Sequence, residues 1–485
     1  MDVLNFHNLA KHKRYLESYK PNEEYWGIGI ENETYIEAEK WITKPADFMN
    51  NQKRERYSVD YWKIYDDNKF KKVTKKCIDD IKGKRFFGKM KRPDATIQLP
   101  LLLNSHSFTD TDRFGQPLRT YEVNPKPNPK YSGTTIFDNI MTSTEYGEFF
   151  RNGYEKWFCF DGDTIEFITQ NFRCAKVKDV IEELITHKNQ WITNFSNVMN
   201  NIDKENILDG IFTYPKENHG LAIYHTNRNN IAIFNNGTYH INITLPTELD
   251  ENCNIKDWNL FVDSHRKVAR LFQWITPFLI ARFGSGDIFS RLDNTSFKNM
   301  FPNGSQRLCV SRYVGAAIYD TKNMPIGKIL TIPNESIPGR WYEKIHNSSN
   351  CIYKTLSVIG VDINFHKHKN HGLEFRIFDW FPEEQLEECI NLLVWMCDEA
   401  MNKELIDDPR LSDIFNDILA KSIWDGKLTI LDKNQISCFS EICGLSNNFI
   451  NDITSNITLI DMYNIIKNTW NQKWHEKGEI SKKMI

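Results

Sequence analysis

The stretch that most constrains the fold is Trp26–Glu37, which reads WGIGIENETYIE. Its β-branched and aromatic residues favour a β-strand. Because strand side chains alternate between two faces, Glu31 and Glu33 lie on the same side, roughly 7 Å apart. Two carboxylates that face a core repel each other and lose hydration, so they need cations or other partners. The stretch therefore predicts a metal site or, alternatively, a half-exposed strand whose solvated face carries Glu31, Glu33, Glu37 and Glu39.

Three later predicted strands also carry polar groups. The strand that follows the turn at 236–237 places His240 and Asn242 on one face and aliphatic residues on the other. Such a pattern suits a sheet that packs on helices on one side and lines a cavity on the other. The remaining polar groups are Glu166, in a strand over 164–169, and Glu374 and Arg376, in a strand over 372–382 where alternation puts Phe378 on the same face.

This set of residue types favours one kind of ligand. Several carboxylates with one imidazole suit Mg²⁺ or Mn²⁺ better than zinc, whose structural sites prefer thiolates and several histidines. Arg376, two residues from a carboxylate, offers a fork for a phosphate. The chain has no GxxxxGK[ST] loop and no complete dinucleotide fingerprint, so phosphate binding would depend on cations and arginine. Together the groups predict a site for a metal-bound nucleoside triphosphate on the floor of a sheet.

Each of these residues also has a purely structural interpretation. Glu166 fits an ordinary strand carboxylate, and His240 fits a buried histidine whose hydrogen bonds are satisfied. Glu374 and Arg376 fit a simple ion pair, which contributes little if it is exposed. Three further histidines alternate with lysine and asparagine, a pattern that favours an exposed turn over a metal site: His366, His368 and His371.

Helical periodicity dominates the rest of the chain. It predicts helices over about 175–200, 257–283 and 382–401, with further helices beyond 402. We predict one catalytic domain over 1–401 and a helical C-terminal subdomain over 402–485 that packs on it.

A segment over about 41–115 interrupts the predicted catalytic domain as an insertion. Ten of its residues between 71 and 92 are lysine or arginine. This basic run favours a solvated helix face and loop over a polyanion-binding surface, because the rest of the chain has no matching basic stripe.

Overall charge and apolar content narrow the possible partners and location. Lys and Arg number 61 against 64 Asp and Glu, a formal charge of -3, which argues against a non-specific nucleic-acid binder. The sequence has no signal pattern and no apolar run near the roughly 20 residues that span a bilayer. The 10 cysteines are scattered without a CxxC pair. We therefore expect a soluble, cytoplasmic protein with reduced thiols and no membrane partner.

The order of the polar motifs resembles the carboxylate–amine ligases of the glutamate–cysteine ligase and amidoligase group, which share the glutamine synthetase fold. ExE in the first strand is followed by DGxxxE at 161–166, GxxHxN at 237–242 and xEFRxxD at 373–379. The similarity extends roughly over 26–382, and Leu373–Asp379 is its most specific piece.

The resemblance implies an α+β fold with a curved, mainly antiparallel sheet and helices packed on one face. It implies two or three Mg²⁺ or Mn²⁺ ions around ATP as co-substrate. The carboxylate of an amino acid or peptide, such as the side chain of glutamate, would become an acyl phosphate, and an amine would then displace phosphate to form an amide. Such chemistry requires cations on the transferring phosphoryl group and exclusion of water from the activated acyl group.

Roles follow from the resemblance by matched position. Arg376 would bind ATP and contact the transferred phosphate, and Asn242 would bind metal or substrate. Arg312 and Arg340 lie in the region where such ligases place arginines on the phosphate or the substrate carboxylate, Arg312 with a catalytic role and Arg340 with a role in ATP binding. The metal ligands, among which Glu33 also has a catalytic role, would be Glu31, Glu33, Glu166, His240 and Glu374.

Two other functions remain open at this stage. A protein of the same fold can transfer a phosphoryl group to a guanidino substrate, and a binding or structural protein can retain a ligase scaffold without activity. The motifs do not specify the amine acceptor, the size of the acid substrate or the oligomeric state.

Overall fold

The structure is a computed structural model, and only part of the chain is described. The described residues do not include Arg312, Arg340, the three alternating histidines at 366, 368 and 371, or most of the predicted insertion. They also do not include three segments that the sequence predicts as short strands, over 120–123, 221–224 and 231–234. The described residues are 24, 26–38, 58–60, 96–98, 101–103, 136–161, 164–170, 176–202, 212–218, 237–248, 256–286, 303–310, 361–363, 373–407, 409, 412–446 and 456–477.

Strands and helices both contribute to the described part of the chain. The strands are β1 (Gly27–Thr34), β2 (Ile36–Ala38), β3 (Ser58–Asp60), β4 (Thr96–Gln98), β5 (Leu101–Leu103), β6 (Phe158–Asp161), β7 (Thr164–Ile168), β8 (Phe212–Thr213), β9 (Thr238–Thr244), β10 (Val361–Ile363), β11 (Leu373–Phe375), β12 (Ile430–Leu431) and β13 (Ile457–Thr458). The α-helices are α1 (Ile136–Thr142), α2 (Gly147–Gly153), α3 (Val177–Ile202), α4 (Trp258–Phe283), α5 (Gln306–Val310), α6 (Leu386–Met401), α7 (Asp413–Asp425), α8 (Lys433–Cys443) and α9 (Leu459–Glu476).

A six-stranded sheet with the order β10-β11-β9-β1-β7-β6 forms the centre of the described structure. Every neighbouring pair in it is antiparallel. The combination of this sheet with long helices confirms the predicted α+β class. β1 lies between β9 and β7, so it joins segments that are far apart in the sequence.

One face of the sheet is apolar and carries helices. Trp191 of α3 packs edge-to-face against Phe158 and Phe167, with ring centroids 6.0 and 5.9 Å away. Phe272 of α4 packs 4.5 Å from Phe375 of β11. Aliphatic side chains fill the space between these aromatic contacts, and burial of such side chains is the main stabilising contribution to a core. They include Ile28, Ile30, Ile165, Ile241 and Ile243.

Two predicted strands end earlier than expected. The chain leaves the central sheet after Thr34, and β2 pairs instead with β5 and β8, which separates Glu37 from Glu31 and Glu33. β5 falls inside the predicted insertion.

β11 ends at Phe375, so strand alternation no longer sets the direction of the following side chains. Phe378 packs in the core against Phe283 and Phe381. The prediction that it shares a face with Glu374 and Arg376 was therefore wrong.

Local capping explains where the long helices begin. The Asp257 side chain accepts hydrogen bonds from the backbone N–H groups of residues 259 and 260, which starts α4, and Thr458 and Asp461 form a capping box at the start of α9. The last helix, α9, contacts both α4 and α6. The ring centroid of its Trp474 lies 6.0 Å from that of Trp26, the residue just before β1. None of the described helices has the length and apolar character that crossing a membrane requires.

Candidate functional site

The second face of the sheet brings polar side chains together by strand register. Glu31 of β1 lies opposite His240 of β9, and Glu33 lies opposite Glu166 of β7. On the far side of β9, Asn242 lies opposite Glu374 of β11. Directly opposite residues in antiparallel strands have Cβ atoms about 4.5–5.5 Å apart, so these groups are neighbours. The structure thus places the four motif strands side by side.

Three carboxylates surround one nitrogen of His240. Its Nδ1 atom is 3.4 Å from Glu31 Oε2, 3.4 Å from Glu374 Oε1 and 3.8 Å from Glu33 Oε1. The imidazole is fully buried, and the side chains of Glu33 and Glu374 are only 2% and 3% exposed. Glu31 is the most accessible of the three, with 16% of its side chain exposed. The alternative of a solvated strand face is therefore wrong for this end of β1.

Neighbouring polar groups hold these carboxylates in place. Thr238 Oγ1 donates to Glu33 Oε2 over 3.4 Å, and Asn242 Nδ2 donates to Glu31 Oε1 over 3.2 Å. The Arg376 guanidinium donates to Glu374 Oε1, so the predicted ion pair is formed, between residues two positions apart.

The donor set fits a divalent cation. One ligand atom from each of Glu31, His240 and Glu374 lies within 4.8 Å of the others. The Oδ1 atom of Asn242 is buried and accepts no hydrogen bond from the residues that the structure describes. An amide oxygen and several carboxylates are the ligands that Mg²⁺ and Mn²⁺ prefer.

Charge balance supports the same conclusion. Four carboxylates lie on this face, those of Glu31, Glu33, Glu166 and Glu374. Two described arginines contact the cluster, Arg376 through Glu374 and Arg307 through His240. Four acids on one largely buried face repel one another, and a divalent cation bound among them would lower that repulsion.

Arg307 is the site residue that the sequence did not single out. It is fully buried at the start of α5, and its Nη2 atom lies 3.2 Å from His240 Nε2. Its Nε atom donates to the backbone carbonyl of Arg376 over 3.1 Å. No sequence pattern marks Arg307, because it reaches the site through a contact between residues 67 positions apart.

Asp379, the last residue of the xEFRxxD motif, holds Arg307 in position. This buried carboxylate accepts a hydrogen bond from the Arg307 backbone N–H over 2.7 Å and one from the Ser305 hydroxyl. Asn218 Nδ2 lies 3.4 Å from it. Burial raises the pKa of Asp379 to about 7, although the hydrogen bonds from Ser305 and Arg307 act in the opposite direction. The aspartate therefore anchors the first turn of α5 and does not belong to the carboxylate cluster.

Glu166 occupies the edge of the site. It lies in register with Glu33 on one side and with Cys159 of β6 on the other. The Cys159 thiol donates to Glu166 Oε2 over 3.2 Å. Glu166 is thus on the predicted face, while the close contacts to His240 come from Glu31, Glu33 and Glu374.

The structure also supports the interpretation of His240 as a buried histidine whose hydrogen bonds are satisfied. Both ring nitrogens have protein partners, the carboxylates at Nδ1 and Arg307 at Nε2. A buried polar network whose members are paired can stabilise and rigidify a fold without any ligand. The arrangement is consequently consistent both with a cation site and with a satisfied ionic network.

The chain is similar in sequence to a viral protein. The chain is 38% identical over 427 residues to uncharacterized protein R704 of Acanthamoeba polyphaga mimivirus, an alignment that covers 87% of this chain and 71% of the viral protein. No family model matches the chain, and no solved structure matches it.

Proposed function

This chain belongs to the same family as the mimivirus protein R704, whose name states no activity, and we propose from its site that it is an ATP- and Mg²⁺-dependent carboxylate–amine ligase. In this proposal the central sheet is the curved sheet of a glutamine synthetase-like fold. The acid substrate is the side-chain carboxylate of glutamate or of a related amino acid or peptide, and an amine is the acceptor.

The observation that carries the proposal is the convergence of Glu31, Glu33 and Glu374 on one buried face, next to Arg376. The three carboxylates would hold Mg²⁺, with Asn242 and Glu166 as further oxygen donors. A bound divalent cation neutralises charge on a transferring phosphoryl group.

Arg376 is suited to bind the transferred phosphate. A guanidinium has five N–H donors, so contact with Glu374 is compatible with contact to a phosphate oxygen. The side chain is 17% exposed, which gives a ligand on this face access to it. Arg307 holds the Arg376 backbone carbonyl, which fixes the point from which that side chain extends.

The reaction can be tested directly on the intact protein. We expect incubation with ATP, Mg²⁺ and pools of amino acids and amines to release phosphate and to yield an amide that mass spectrometry detects. Omission of Mg²⁺ should abolish both products. A stable phosphorylated guanidino compound would instead identify a phosphotransferase and contradict the ligase proposal.

A second candidate, a non-catalytic protein that retains the scaffold, is favoured by one observation. Glu374 is already paired with Arg376, and His240 has partners at both ring nitrogens. In that case the intact protein would neither hydrolyse ATP nor form an amide, and Glu33→Gln would change stability alone. ATP hydrolysis or ligation that is lost in Glu33→Gln or Arg376→Ala would exclude this candidate.

A further inference from the structure

Arg376 lies just beyond the strand that leads into the site. β11 ends at Phe375, and residues 376–382 form neither strand nor helix. The backbone carbonyl of Arg376 accepts a hydrogen bond from Arg307 Nε over 3.1 Å. Because Arg307 belongs to the first turn of α5, the position of Arg376 depends on where α5 begins.

Asp379 joins the start of α5 to the segment that carries Arg376. Its carboxylate accepts hydrogen bonds from the backbone N–H of Arg307, over 2.7 Å, and from the Ser305 hydroxyl. Ser305 Oγ in turn accepts from the backbone N–H of Leu308 over 3.1 Å. Together with the bond to the Arg376 carbonyl, these contacts connect the two segments at several points. We therefore expect a shift of one segment to displace the other.

The 303–306 segment, which leads into α5, is also held by α7. The Ile423 carbonyl accepts backbone hydrogen bonds from Gly304 and Ser305 over 3.0 and 3.2 Å. Ile423 lies in the last turn of α7, where carbonyl groups have no partner within the helix. The last residue of the segment donates its N–H to the Ser285 carbonyl, just after α4, over 3.0 Å. The segment is thus held between the ends of two long helices.

Two glycines allow the 303–306 segment to lie directly against the end of α7. A Cβ atom on Gly304 would overlap the Ser422 carbonyl oxygen and would lie 2.9 Å from Gly426 Cα. Gly426 has a φ of 61°, and a Cβ atom there would lie 3.0 Å from Gly304 Cα. All of these neighbouring atoms belong to the backbone, so no side-chain rotation relieves the overlap. This close approach of two backbones requires glycine.

We propose that the 303–306 segment is a positioning element, which α7 and Asp379 hold from two sides and which sets the position of Arg376 through Arg307. The part of the chain beyond 402, to which α7 belongs, then acts on catalysis through a backbone contact. The statement about catalysis rests on the proposed function, whereas the statement about the position of Arg376 rests on the contacts alone. Misplacement of a group in an active site by about 1 Å can lower a rate about 100-fold.

Crystal structures of the wild-type protein and of Gly304→Ala test the positioning without any measurement of activity. The added methyl group forces the 303–306 segment and the end of α7 apart. We expect the Arg376 guanidinium to move by about 1 Å relative to Glu374. An Arg376 that keeps its wild-type position in this variant would overturn the proposal.

A second variant covers the case in which Gly304→Ala does not fold, which circular dichroism would detect. Ser305→Ala introduces no overlap and removes the hydroxyl that donates to Asp379. We expect a smaller movement of Arg376 in the same direction. An unchanged Arg376 in the crystal structure of Ser305→Ala would also overturn the proposal.

Activity distinguishes positioning from a general loss of stability. We expect kcat/KM for ATP-dependent phosphate release to fall by about 10–100-fold in Gly304→Ala at a temperature where the protein stays folded. Gly444→Ala is the matched control, because it strains the end of α8 at a φ of 66°, where the Cβ would meet only the ends of side chains. It should keep the wild-type rate. Equal losses of rate in the two glycine variants would contradict the proposal.

A double variant shows whether the effect passes through Arg376. In the Arg376→Ala background, Gly304→Ala should cause little further loss of kcat/KM, because the group that it displaces is already absent. A further loss as large as in the wild-type background would overturn the proposal. If the wild-type protein neither hydrolyses ATP nor forms an amide, the ligase function fails. The crystal structures of the variants then still decide whether the 303–306 segment positions Arg376.

Discussion

The carboxylate cluster on the sheet differs sharply from a second ionic cluster, around Glu388, that joins the C-terminal helix to the core. Glu388 of α6 receives hydrogen bonds from Arg282 of α4 and from Tyr463 and Lys467 of α9. One acid there meets two cations and a hydroxyl, whereas on the sheet four acids share one face.

The cluster around Glu388 and the carboxylate cluster on the sheet therefore have different electrostatic properties. Burial by itself would raise the pKa of Glu388, but hydrogen bonds from Arg282, Lys467 and Tyr463 outweigh it and lower the pKa to about 2. The protein alone therefore satisfies this carboxylate, and the cluster connects three helices. The acids of the sheet lie close to one another, and in the proposed function a divalent cation binds among them. The comparison teaches that a carboxylate paired with cations from neighbouring helices serves as a structural junction, whereas carboxylates that face one another are the arrangement a cation site would need.

The largest expected effect comes from changing an acid of the sheet cluster. Glu33→Gln keeps the shape of the side chain and removes one of the charges that would hold Mg²⁺. We expect ATP-dependent amide formation to fall by about 10²–10³-fold, the range measured when one electrostatic group is removed from an active site. Steady-state phosphate release measures the loss. Glu387→Gln, which changes an exposed acid of α6, is the matched control and should retain activity.

Added metal should separate the two clusters by stability. Mn²⁺ at about 100 times its Kd should raise the free energy of unfolding of the wild-type protein by about 2.7 kcal/mol. Thermal unfolding with and without Mn²⁺ measures this gain. The gain should persist in Glu388→Gln and disappear in the double variant Glu31→Gln, Glu374→Gln. Equal gains in both variants would mean that the metal binds elsewhere.

Changing the ionic cluster around Glu388 should affect stability and not ligand binding. Glu388→Gln weakens charge-assisted hydrogen bonds to Arg282 and Lys467, so we expect a loss of about 2 kcal/mol in the free energy of unfolding. The control is again Glu387→Gln, whose ion pair with Lys178 spans 3.9 Å between side chains that are 49% and 80% exposed. That change should cost less than about 0.5 kcal/mol. Urea denaturation compares the variants. Equal losses of unfolding free energy in Glu388→Gln and Glu387→Gln would contradict a stabilising role of Glu388.

The smallest expected effect is the pH dependence of the Glu388 contribution. Because the folded pKa is lowered from 4.5 to about 2, the ionised carboxylate stabilises the folded state above the unfolded pKa. This stabilisation is lost as the pH falls from 4.5 towards 2. The difference in unfolding free energy between wild type and Glu388→Gln should therefore shrink between pH 5 and pH 3.5. If this difference grew as the pH fell from 5 to 3.5, the pKa of Glu388 would not be lowered in the folded state.

The sequence determined the elements whose pattern is local. Strand alternation placed Glu31 with Glu33 and His240 with Asn242, and the register of β1 and β9 agrees with it. Helical periodicity gave α3 and α4 within two residues of their observed ends, because amphipathic spacing and caps act over a few neighbouring positions. The local pattern predicted wrongly that the strand continues beyond Phe375 with Phe378 on the polar face. β11 ends at Phe375, and Phe378 packs in the core.

The tertiary structure alone decided which of these groups meet and what balances them. Glu31 and His240 are 209 positions apart, and Arg307 enters the site only because Asp379 fixes the start of α5. Glu388 resembles Glu387 in sequence, yet only Glu388 faces two other helices and their cations. The sequence therefore specifies which face a side chain takes along its own element, since that depends on the backbone period. Partners and net charge at a site depend on how distant elements pack, which no local pattern contains.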